Sequence, residues 1–130
     1  MNDLIKCREE IIIESPFITS ERMKTFNWTF KRLLGRGVKI NLITRDPKEH
    51  IEGMETQSEE AIRWCEAVGI QVLLCLGNHH RKLAILDRKV LWEGSLNILS
   101  QTYSREIMRR IGNQQLALEM FNFLKLGRFI

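Results

Sequence analysis

Apolar side chains along this 130-residue chain recur with two different periods. Ile11, Ile12 and Ile13 form a β-branched run that Pro16 stops, the mark of a buried strand over residues 10–15. Thr19 and Ser20 can cap a following helix. Met23, Phe26, Phe30, Leu33 and Leu34 fall at helical spacing within it, and Gly35 and Gly37 end it. Residues 38–44 alternate as a second strand, with Val38, Ile40, Leu42 and Thr44 on one face and Ile43 on the other. The polar stretch 45–55, with Pro47 and Gly53, reads as a loop. Thr56 and Glu59 have capping-box spacing and open a helix that Gly69 stops after Val68.

Residues 70–76 form a strongly apolar third strand, followed by a turn at Gly77 and Asn78. Residues 80–86 read as a fourth strand. Asp87, Arg88 and Lys89 connect it tightly to a fifth over 90–93. After Gly94 the chain is polar, then 106–111 offers a further strand, and Asn113 caps a last helix running to about Leu126. Strands alternating with helices imply parallel crossovers, and the later hairpin adds antiparallel pairs. The expected fold is therefore α/β: a mixed sheet flanked by helices on both faces, one domain over 1–130. The runs at Ile11 and Val72 fit strands covered on both sides.

A chain with 44% hydrophobic and 28% charged residues needs no disulfide or metal to fold. Its three cysteines, Cys7, Cys65 and Cys75, are odd in number and lack metal-ligand spacing. Cys65 and Cys75 read as small core residues. Together with the charged, apolar-poor segment 1–10, this points to a reducing, cytoplasmic setting. No stretch reaches the length of a membrane span.

The net charge of +4 is unevenly distributed. Residues 20–40 hold six basic side chains and one acidic, 47–66 hold two basic and six acidic, and 79–89 hold four basic and one acidic. The asymmetry is mild, and a solvated mixed surface explains it more readily than a polyanion-binding face does.

The chemistry lies in one segment, HRKLAILDRKVLWEGSLN. Its pattern is H-x-K, four residues, D, six residues, G-S-x-N. His80 and Lys82 are two apart, so in a strand they project together while Arg81 points away. The tight turn at Asp87 brings the chain back, so that Gly94, Ser95 and Asn97 return beside His80. Gly94 allows close approach of backbone to a ligand. An imidazole, a fixed ammonium, a hydroxyl and an amide suit a phosphate diester: His80 can attack phosphorus, and Lys82 and Asn97 can stabilise the charge spread over the oxygens. No carboxylate or His/Cys cluster suggests a metal site, and no cofactor is implied.

This pattern resembles the HKD signature of the phospholipase D superfamily, which includes phospholipases, bacterial endonucleases and nuclease-like domains attached to helicases and restriction enzymes. Six fixed positions match across eighteen residues, a coincidence on the order of one in a million at ordinary residue frequencies. The opening Ile-Glu-Ser-Pro-Phe-Ile and Glu106, after Ser104 and Arg105, also resemble the family. The resemblance implies a phosphohistidine formed on His80, with Lys82, Ser95 and Asn97 on the phosphoryl oxygens. It gives Glu106 the role of orienting the His80 ring, and Asp87 a structural role in the turn. The chemistry needs a second histidine to protonate the leaving oxygen. His79 should face away from His80, and His50 lies in an acidic loop. Small single-motif nucleases of the family solve this with a homodimer that places two His80 equivalents face to face.

The resulting expectation is a metal-independent phosphodiesterase acting on nucleic acid, DNA before RNA, as a homodimer. The alternative is a nucleic-acid-binding module of a larger helicase or restriction polypeptide with little turnover, and a third reading is lipid phosphodiester transfer. A membrane partner is disfavoured because no interfacial apolar helix is evident. Lys31, Arg32, Arg36, Trp92 and Arg109 are candidate substrate contacts. Trp28, Trp64 and Trp92 are expected chiefly in core or interface packing.

Overall fold

A computed structural model describes residues 2–77, 80–100 and 106–130. Among these residues six strands form one mixed sheet. In chain order they are β1 (Glu10–Glu14), β2 (Lys39–Arg45), β3 (Gln71–Cys75), β4 (Leu83–Leu86), β5 (Val90–Gly94) and β6 (Met108–Ile111). Their spatial order is β3-β2-β1-β4-β5-β6. The β1–β2 and β2–β3 pairs are parallel, and the remaining pairs are antiparallel. Helices α1 (Asn2–Ile5), α2 (Ser20–Gly35), α3 (Glu52–Val68) and α4 (Gln114–Phe123) complete the domain.

Strand periodicity divides the core into two layers. Ile11, Ile13, Ile40, Leu42, Ala84 and Leu86 pack with Phe26, Phe30 and Leu33 of α2 and with Ala61, Ile62 and Cys65 of α3. Ile12, Ile43, Leu83, Ile85 and Leu91 face the other way, onto Ala117 and Phe121 of α4 and onto Leu124 and Leu126 beyond it. Helices thus cover both faces, as the alternation implies. Each aliphatic side chain taken wholly out of water in these layers contributes about 1.5–3 kcal/mol. The Arg22 N–H donates to Thr19 Oγ1 at 3.3 Å to cap α2, and the Leu116 N–H donates to Asn113 Oδ1 at 3.1 Å to cap α4.

Several boundaries differ from the sequence pattern, each for a local reason. Helix α3 starts at Glu52, so Gly53 and Thr56 are helical and no capping box forms; the cap residue is Ile51, without a side-chain bond. The polar stretch before it is spent on a short turn at Pro47–Glu49, which Asp46 caps. Strand β3 lies at the sheet edge instead of being covered on both sides, and Leu74 is 50% exposed. Helix α4 ends at Phe123, because Lys125 takes a left-handed φ of 54° and starts a separate turn. Strands β4 and β6 start later than residues 80 and 106, and α1 is unforeseen. Cys7 and Cys65 are buried, whereas Cys75 is partly exposed. Among the described residues no helix is long and apolar enough to cross a membrane.

Candidate active site

The β4–β5 hairpin carries the motif, and its closed end is the best-held part. Asp87 and Arg88 both have positive φ, 53° and 54°, and the Lys89 N–H donates to the Leu86 carbonyl at 2.9 Å. This is the turn whose twist suits a hairpin, and Asp tolerates its left-handed backbone. The Asp87 carboxylate also accepts the backbone N–H groups of Arg8, Glu9 and Glu10, each at 2.9 Å. Burial alone would raise its pKa. The bonds from Glu10, Arg8 and Glu9 and the charge of Lys89 outweigh that, and the pKa lies below the ordinary value.

At the open end β4 begins only at Leu83, so His80, Arg81 and Lys82 precede the strand. The pairing of β4 with β5 continues weakly past its ladder, for the Gly94 N–H approaches the Lys82 carbonyl at 3.4 Å. His80 is exposed, and Lys82 turns its ammonium onto the His80 carbonyl at 2.9 Å. Ser95 ties the returning chain to the segment before β6. Its N–H donates to the Ile107 carbonyl at 2.9 Å, and its Oγ accepts the Ile107 N–H at 3.0 Å. The same Oγ donates to Glu106 Oε2. The described bond of Glu106 is this one, to Ser95. Gly94 also differs from expectation. A Cβ there would lie 1.9 Å from the Ile107 carbonyl oxygen, so glycine makes room for the neighbouring backbone, not for a ligand.

Asn97 is placed by a clamp that sequence reasoning missed. Ser15, fully buried, donates its hydroxyl to the Phe17 carbonyl at 2.8 Å and accepts the Leu99 N–H at 3.3 Å. The Thr19 N–H donates to the Leu99 carbonyl at 3.0 Å, and Arg22 Nε donates to the Ile98 carbonyl at 2.9 Å. The connection from β1 to α2 thus holds the loop after β5, with Asn97 in its first turn. A serine directly before proline is a turn former, which was the available signal.

The candidate substrate contacts divide. Trp92 is partly buried and donates Nε1 to Asp3 Oδ2 at 2.8 Å, which also accepts Arg110 Nε at 2.8 Å. It is a packing residue, not a stacking platform. Arg36 donates to the carbonyls of Ile5 and Cys7, at 2.7 and 3.2 Å, and so ties α1 to the end of α2. Arg109 pairs with Glu93 across β5 and β6. Lys31 and Arg32 stay exposed. Trp28, expected in packing, is 62% exposed, with the Arg32 guanidinium 5.2 Å from its ring centre. Trp64 is partly buried against the core, as expected. The His50 ring stacks on Phe17 at 4.9 Å, and burial, then the charge of Arg45, lowers its pKa. Asn78, His79, Ser104 and Arg105 lie outside the described residues. Among the described residues no three His, Cys, Asp or Glu side chains gather as a metal site.

A mixed sheet with helices on both faces is the fold of a phospholipase D-like domain. The chain belongs to this superfamily: residues 1–125 match the family model described as cardiolipin synthase, PLD-like domain. Among solved structures it is similar to Nuc of Salmonella typhimurium, a phospholipase D family member (TM-score 0.74, 19% identity, 95% of this chain, 80% of that one). NucT from Helicobacter pylori is similar to the same degree (0.70, 20%, 95% and 81%). The phosphatidylserine synthase of Haemophilus influenzae shares the fold over 34% of its length (0.72, 17%, 98% of this chain). No curated protein matches the sequence.

Proposed function

We propose that the chain is a metal-independent phosphodiesterase that cuts nucleic acid, DNA before RNA, through a phosphohistidine on His80, in a site completed by a second copy. The observation that carries this is the open end of the hairpin, where exposed His80 and half-buried Lys82 adjoin the returning chain at Gly94. His80 attacks phosphorus and expels one ester oxygen, which takes its proton from the partner's His80 equivalent. Water, giving its proton to the partner's His80, then attacks the phosphohistidine and frees the imidazole. Lys82 and Asn97 stabilise charge on the phosphoryl oxygens, and Ser95, held by Glu106, fixes the loop that carries Asn97.

Two further features favour nucleic acid. The chain covers 80% or more of Nuc and NucT, which suits the small single-motif members of the superfamily. Exposed Lys24, Lys31 and Arg32 flank exposed Trp28 on α2, a surface suited to a phosphate backbone with a stacked base. The test is incubation with DNA in the presence of a chelator. The wild type should cut, and His80→Ala should lose at least about a thousandfold in rate. No cutting by the wild type removes the nuclease reading, and binding without cutting supports a binding module.

One observation favours a second reading, a lipid phosphodiester. A cavity of about 280 Å³ lies behind the motif loop, lined by Leu4, Ile13, Phe26, Trp92, Leu96 and Ile98. Its charged lining groups, Asp3 and Arg22, are already bonded within the protein. Such a space accepts hydrocarbon. Hydrolysis of phospholipid vesicles but not DNA would select this reading.

A further inference from the structure

Glu14 is the least expected side chain in the sheet: a carboxylate at the end of the Ile11–Ile13 run, with 0% of the residue exposed. Burial of a charge at that depth is tolerated only with an opposite charge and hydrogen bonds. Arg81 supplies the charge and one hydrogen bond. A terminal nitrogen donates to Glu14 Oε1 at 3.2 Å, and Nε lies at ion-pair distance, 2.9 Å, from Oε2. Arg81 is the residue between His80 and Lys82.

The register explains why this matters. Glu14 stands opposite Leu83, the first residue of β4. It lies on the sheet face of Ile12, and Leu83 and Ile85 pack onto that same face. Residues 80–82 lie just beyond the ladder. Beyond the long Gly94 contact and the Lys82–His80 bond, the described hold on them is the grip of Glu14 on Arg81. With Arg81 drawn to the α4 face, its sequence neighbours are turned toward the opposite side, because successive side chains of an extended chain alternate.

We propose that Glu14, acting through Arg81, is a positioning residue of the site: the buried ion pair fixes the direction in which His80 and Lys82 leave the backbone. This rests on the reading of the motif as a phosphate-binding site. The pair substitutes for the missing strand ladder. It leaves the reactive segment free of neighbouring strands on the side where a phosphodiester must approach.

The test separates positioning from stability. Replacing a buried ion pair with apolar groups of similar size is often neutral for folding. The double variant Glu14→Leu with Arg81→Met should therefore keep a thermal midpoint close to wild type. Its kcat on bis(4-nitrophenyl) phosphate should fall roughly 10- to 100-fold with KM changed less than about threefold. Arg81→Lys, which keeps the charge and loses the fork, should recover part of the loss. Should the double variant fail to fold, Glu14→Asp and Arg81→Lys singly should show the same split in milder form. A second readout needs no turnover. ¹³C relaxation at His80 Cε1, assigned with His80→Gln, should show a more mobile ring in the variants. A folded variant with unchanged kcat and unchanged His80 relaxation overturns the proposal. A wild type that hydrolyses nothing overturns the phosphodiesterase reading instead, and the relaxation result still decides this one.

Discussion

The two ends of the β4–β5 hairpin are built from the same kind of contact and put to opposite use. Each is gripped by a buried acid on one face of β1. Glu10 takes Arg88 at the turn, with bonds of 2.7 and 3.0 Å, and Glu14 takes Arg81 at the mouth. At the turn the ion pair is redundant. Asp87 holds three backbone N–H groups, and Arg88 lies 4.1 Å from the Phe121 ring centre. At the mouth the ladder has ended, the pairing stretches to 3.4 Å, and His80 is open to solvent. The hairpin is held most firmly at its turn and leaves the end that carries His80 accessible. Local stability is distributed unevenly in this way where a ligand must enter.

The largest blow to the open end should come from Gly94→Ala. The new methyl would meet the Ile107 carbonyl oxygen at 1.9 Å and Met108 Cα at 2.9 Å, both backbone atoms that cannot swing aside. Strand β6 must separate from β5, and the Ser95–Ile107 bonds go with it. Urea unfolding should show a loss of about 3 kcal/mol or more, and any phosphodiesterase activity should vanish. A variant as stable as wild type would mean that β6 is not held where it is described.

At the closed end the strongest change should be Asp87→Asn. Asparagine keeps the tolerance for a left-handed backbone but loses the charge that three N–H groups converge on, at a cost of about 2 kcal/mol at neutral pH. The pH dependence fixes the cause. The carboxyl pKa is lower in the folded protein than in the unfolded chain, so its contribution is full above the unfolded value of about 3.9. It is lost as pH falls through the folded value. The gap between wild type and variant in urea unfolding should therefore be constant from pH 7 to about 5 and close in acid. A gap that persists at low pH would assign the effect to the turn backbone.

The comparison also marks how far the sequence could be read. Strand β1, helix α2 and the Asn113 cap were legible because each rests on residues close in sequence. The motif was legible as a pattern, and its hairpin followed from the turn at Asp87. The partners that set the geometry were not. Asp87 binds residues 77 to 79 positions away, and Arg81 reaches 67 positions back to Glu14. Periodicity carries no information on such pairs. An acid at the end of an apolar run gives no sign of its partner until the fold shows what covers it. Gly94 was read toward a ligand because the crowding comes from β6, a strand whose edge the sequence marks poorly. Trp28 and Leu74 show the reverse case: apolar residues that pattern reasoning sends inward, left outside by their place on a helix or at a sheet edge.

The smallest effect should be the most discriminating. Glu10→Gln breaks the turn-end counterpart of the pair at the mouth. Glu10 is 8% exposed and the Arg88 side chain 41% exposed, so the released guanidinium can turn to water and the neutral amide can still accept one of its bonds. The cost in urea unfolding should be about 1 kcal/mol, between the values for surface and buried pairs. Turnover should stay within about twofold of wild type, because Asp87 continues to hold the turn and β4 is paired on both sides from Leu83 to Leu86. The contrast with the Glu14–Arg81 variants is then a clean one, equal chemistry at two ends with a rate effect at one alone. A fall in kcat from Glu10→Gln as large as that from the pair at the mouth would show that the hairpin responds as a whole and that neither end positions His80 by itself.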